Sequence, residues 1–108
     1  MRKGYLGEYK AKKELSEIYG KDNVIKIAIS QMGSDFFVIC MGNVIKLVEV
    51  KETKRNKYYS TLQEKEQIER IKKFAELQQI PAEMWIYYKK GRGKKYIKKV
   101  EEIYKITK

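Results

Sequence analysis

The chain has no histidine, a single cysteine and a single proline, and no apolar run nears the ~20 residues of a membrane span. Without histidine there is no zincin site, no Ser-His-Asp triad and no imidazole acid–base chemistry. One cysteine excludes a disulfide framework and any cysteine-rich zinc site. The opening Met-Arg-Lys-Gly leads into no signal-peptide core, so these absences together predict a small cytoplasmic protein without a membrane segment. Acids are also scarce, with 14 Asp+Glu against 25 Lys+Arg and a formal net charge of +11.

A length of 108 residues allows one domain, residues 1–108. Hydrophobic residues at 43% and aromatics at 12% are enough for a core and too many for a disordered chain. The positive excess on so small a body attracts polyanions and speeds their encounter. Nine tyrosines interleaved with lysines fit a nucleic-acid surface, and fit equally the half-buried strands of a lysine- and isoleucine-rich protein.

Residues 4–19 carry a helical pattern that stops at Gly20, a residue suited to a C-cap. Gly4, Ala11, Leu15, Ile18 and Tyr19 share one side of that helix, with Glu8 in the middle of the stripe. Strands follow at 24–30, 35–41 and 44–51, the last two joined by a hairpin turn at Gly42-Asn43. Residues 52–59 lack a period and read as a loop. A second helix spans 60–79, with Ser60 and Gln63 as a capping box, Ile68, Ile71, Phe74 and Ala75 as its buried stripe, and Pro81 as its stop. A strand at 82–88, a basic turn at 89–95, a short strand at 96–100 and a helical or frayed tail complete the chain. The expected architecture is an α/β domain, order α-β-β-β-α-β-β, with a mixed sheet flanked by helices.

Acids from separate segments converge in this scheme. Glu8 interrupts an apolar stripe, where a charge is costly unless paired or metal-bound. Strand period two puts Glu49 and Lys51 side by side on one face. Pairing about Gly42-Asn43 brings Asp35 opposite Lys51 or Val50, beside Glu49. Carboxylates so gathered suit a divalent cation between them, Mg²⁺ or Mn²⁺. A metal-bound water oriented by Lys51 then hydrolyses a phosphodiester. Gln67 points inward from the second helix, toward that water or a ligand, or into an ordinary hydrogen bond with the backbone. Plainer roles exist for the acids too: Asp35 as a turn residue, Glu49 with Lys51 as a strand-end ion pair, Glu8 off the stripe by a shift of helix phase.

Glu8, then Gly33-Ser34-Asp35, then Glu49-Val50-Lys51 resembles the motif of the PD-(D/E)XK nuclease superfamily. With Arg2-Lys3-Gly4 ahead of Glu8, and Gln67, Phe74 and Pro81 behind, most of the chain is similar to archaeal-type Holliday junction resolvases. The resemblance implies a restriction-endonuclease-like core and a homodimer that nicks four-way DNA junctions symmetrically with Mg²⁺ or Mn²⁺ and no small-molecule cofactor. By position it makes Glu8, Asp35 and Glu49 the metal-site acids, the Val50 carbonyl a further ligand and Lys51 the catalytic lysine. Ser34 matches a small polar residue in the loop that touches DNA. Two positions depart from the pattern: Tyr9 stands where relatives carry Arg, and the turn before Asp35 is short.

The other basic segments fit DNA backbone contacts: Arg2 and Lys3; Lys54, Arg55 and Lys57; and Arg92 in the basic turn. In the fourth strand, Met84, Ile86 and Tyr88 share one face and Trp85 and Tyr87 the other; one face fills the core, and the second is expected to be covered by a dimer interface or a tail helix. Two other readings share these residues: a superfamily nuclease acting on flaps, duplex ends or RNA, and a non-catalytic nucleic-acid-binding protein whose acids form ion pairs.

Overall fold

The computed structural model describes residues 5–29, 34–54, 61–90 and 95–106; at 5, 28–29 and 34–36 the backbone alone is described. Along these residues run α1 (Tyr5–Tyr19), a 3-10 turn (Lys21–Asn23), β1 (Val24–Ile29), β2 (Ser34–Met41), β3 (Asn43–Thr53), α2 (Leu62–Gln78), β4 (Ala82–Lys89) and β5 (Tyr96–Tyr104). The element order is the expected one. The strands form one mixed sheet in the order β1-β2-β3-β4-β5, antiparallel throughout except for the parallel pair β3 and β4. Parallel neighbours need a crossover, and α2 supplies it.

Local chemistry sets the ends of each helix. α1 stops at Gly20, whose φ of 97° favours glycine, and Asn23 donates its side-chain amide to the Tyr19 carbonyl at 2.7 Å. The capping box of α2 lies one residue later than expected. Thr61 accepts from the Glu64 N–H at 3.1 Å, and Glu64 accepts from the Thr61 N–H at 3.2 Å. A carboxylate suits the positive end of a helix dipole better than the amide of Gln63. β2 turns into β3 through Gly42, φ 84°.

Two apolar layers cover the sheet. Ala11 and Leu15 of α1 pack on Val24, Phe37, Ile39, Val48, Trp85 and Tyr87. On the opposite face, Ile71 and Ala75 of α2 pack on Val38, Leu47, Ala82, Met84, Ile86 and Ile103, with Ile68 and Phe74 at the margin. β3 and β4 therefore lie between helices, which is why both their faces are apolar.

Four expectations are corrected here. Trp85 and Tyr87 are covered by α1 of their own chain, each 4% exposed, so that face of β4 is neither a dimer interface nor the seat of a tail helix. The tail is strand: β5 continues to Tyr104, and Ile103 is buried against α2. Ile18 is 60% exposed although it shares the α1 stripe, because helix phase sets where a side chain points and not whether sheet lies beneath it. β3 also runs further than expected, taking in residues 52 and 53. No helix among the described residues is long and apolar enough to cross a membrane.

Candidate active site

β3 positions the central pair. Glu49 and Lys51 lie opposite Met84 and Ile86 of β4, on the face that carries α2. Glu49 is 4% exposed, and Lys51 Nζ stands 3.4 Å from its Oε1. The same ammonium is 3.6 Å from Glu64 Oε2 in the first turn of α2. Lys51 thus bridges a strand acid and a helix acid. Glu64 was not anticipated from sequence; its one signal is an acid three residues after Thr61, which identifies the turn of α2 that starts above β3. Gln67 lies one turn on from Glu64, half-buried on the same side of α2 as Ile71.

Asp35 lies in β2, opposite Ala28 of β1. The β2–β3 ladder starts only at Phe37, opposite Val48, and does not extend to Asp35. Glu8 has a different neighbourhood. Its Oε2 accepts from Lys26 Nζ at 2.7 Å, and Lys26 lies opposite Phe37, on the face covered by α1. Glu8 and the Glu49–Lys51 pair are therefore associated with opposite faces of the sheet. Ser34 opens β2, and Lys54 is exposed just beyond β3. Arg2, Lys3, Arg55, Lys57 and Arg92 lie outside the described residues.

A second cluster, also not foreseen, sits at the same end of β3 on the α1 face. Glu52 Oε1 accepts from the Tyr96 hydroxyl at 2.7 Å, and its Oε2 accepts from the Gly7 N–H at 3.2 Å. That hydrogen bond to Glu52, with burial and the carboxylate charge adding to it, pushes the Tyr96 phenol up to about 12. Lys10 lies 5.4 Å from the centre of the Tyr96 ring. Glu52 ties the start of α1, the end of β3 and the start of β5 together. Because β3 and β4 are parallel, both release the chain at this end: Lys54 follows β3, while Lys89 and Lys90 close β4 and lead to Lys95.

Among the described residues no group of three or more His, Cys, Asp or Glu side chains is placed to hold a metal ion. Mg²⁺ commonly takes only one or two protein carboxylates and completes its shell with water and substrate phosphate. The described donors, a buried Glu49 carboxylate with Glu64 nearby, are hard oxygens of the kind Mg²⁺ or Mn²⁺ binds. No protein-family model, curated protein or solved structure matches this chain.

Proposed function

We propose that this protein is a metal-dependent DNA endonuclease with a restriction-endonuclease-like core, and that its substrate is the four-way junction. One observation carries the reading: Glu49, 4% exposed, has Lys51 at 3.4 Å on a strand with neighbours on both sides. Sequestering a carboxylate costs several kcal/mol even when paired, so the arrangement is a poor choice for stability alone. The α-β-β-β-α-β order supports the same reading.

In this scheme the Glu49 carboxylate and the Val50 carbonyl would hold Mg²⁺ or Mn²⁺, with Asp35 the further ligand that the motif implies. The ion, when bound, supplies an acidified water and neutralises charge on the phosphoryl oxygen. Lys51 orients the attacking water and draws charge from the phosphate, while Glu64 keeps its ammonium from swinging away. Gln67 faces the same space from α2. Lys54, Lys89, Lys90 and Lys95 take backbone phosphates, which position DNA without reading sequence. Glu8, paired with Lys26 on the α1 face, stands outside this scheme.

A labelled synthetic four-way junction, with linear duplex and flap controls, tests this in Mg²⁺ and in EDTA. Paired nicks on the junction, abolished by EDTA and by Glu49→Ala, are the expected result. Equal cutting of every substrate would retain the nuclease and remove the junction preference. Tight binding with no cutting in Mg²⁺ or Mn²⁺ would leave a non-catalytic nucleic-acid-binding protein.

A further inference from the structure

β5 is an edge strand whose one neighbour among the described residues is β4. Its sequence, Tyr-Ile-Lys-Lys-Val-Glu-Glu-Ile-Tyr, is a palindrome in which lysine and glutamate exchange places about Val100. We infer that β5 pairs antiparallel with β5 of a second copy of this chain, around a two-fold axis at Val100, to give one sheet continuous through both protomers. Lys98 then faces Glu102 of the partner subunit, Lys99 faces Glu101 of the partner subunit, and the two Val100 residues meet.

The charge order selects this arrangement over its competitors. A parallel in-register pair sets lysine against lysine and glutamate against glutamate, and a slip of one residue loses half of the opposite-charge pairs. Lysines on an edge strand ordinarily repel other edges. Here each has a matching acid, so the edge rejects strangers and accepts itself. Lys99, Glu101 and Glu102 are exposed and make no ion pair among the described residues, which leaves them available to a partner. Val100, 43% exposed, gains cover. Lys98 already holds Glu14 and lies 3.9 Å from the centre of the Trp85 ring, so it contributes less. The register slip at Ala82/Glu83 puts Ile103 outside the regular ladder, which limits the pairing to residues 98–102.

The test uses the full chain at low salt and light scattering after size exclusion. The wild type is expected at twice 12.9 kDa. Lys99→Glu and Glu101→Lys each place two like-charge pairs in the interface and weaken self-association about tenfold or more. An equimolar mixture of the two variants restores every pair and dimerises, as does the doubly substituted chain. A variant that misfolds cannot be rescued by mixing, so the rescue separates charge from folding. A wild type that stays at 12.9 kDa, a dimer indifferent to both substitutions, or a mixture that fails to associate overturns the inference. It rests on β5 alone: a dimer that does not cleave DNA would retain the interface and remove the nuclease reading, and a monomer that cleaves would do the reverse.

Discussion

The pairing of Glu49 with Lys51 makes a quantitative prediction about stability that is independent of any activity. Glu49 is 4% exposed and the Lys51 side chain 16%, with Nζ 3.4 Å from Glu49 and 3.6 Å from Glu64. Removing one partner of a fully buried pair costs about 3–5 kcal/mol. Glu49→Gln keeps the shape and leaves Lys51 its contact with Glu64, so a smaller loss, about 1–2 kcal/mol, is expected. Across 108 residues, at roughly 2.1 cal/mol/K each, that lowers the thermal midpoint by about 4–9 °C. Lys51→Met removes the ammonium from beside a carboxylate more buried than itself, so it should cost more, about 3 kcal/mol. The double variant Glu49→Gln/Lys51→Met should be less destabilised than the sum of the singles by about 1–2 kcal/mol. Urea denaturation followed by circular dichroism measures all three. Effects that add to within about 0.3–0.5 kcal/mol would refute the pairing on which the site is built.

Two further predictions follow from residues outside that pair. The Tyr96 hydroxyl donates to Glu52, which raises its pKa from 10.0 to about 12, so the folded state favours the protonated phenol. That contribution is whole below pH 10 and is lost as the pH rises through 12. Tyr96→Phe should therefore cost about 1 kcal/mol at neutral pH, and its thermal midpoint should converge with that of the wild type between pH 10 and 12. A gap that persists at high pH would mean the hydroxyl's bond to Glu52 is not its source. Ile103 and Ile18 test the fold itself: Ile103→Ala, in the 9% exposed core position, should cost about 2–4 kcal/mol in urea denaturation. Ile18→Ala, 60% exposed, should stay within about 0.5 kcal/mol, and the opposite ranking would contradict the packing described.

Much of the molecule was legible in its residues. Apolar spacing marked both helices and all the strands, Gly42 marked the hairpin, and strand period two set Glu49 beside Lys51 on one face. Those signals are local: they depend on neighbours in the chain, and the backbone's periods of 3.6 and 2 convert them into faces. Periodicity does not say what covers a face. Which element covers each face of β4 was set only when α1 lay across Trp85 and Tyr87, and the segment after Val100 became strand only because β4 offered an edge to pair with. The same holds for the site. That Lys51 meets Glu64, that Glu8 meets Lys26 on the α1 side, and that Glu52 joins Gly7 to Tyr96 are consequences of helices crossing the sheet. Each contact joins residues 13 to 45 positions apart, with no period to announce it. Sequence alone decided which residues share a face of their own element; only the packing of α1 and α2 on opposite sides of β3 decided which charges meet.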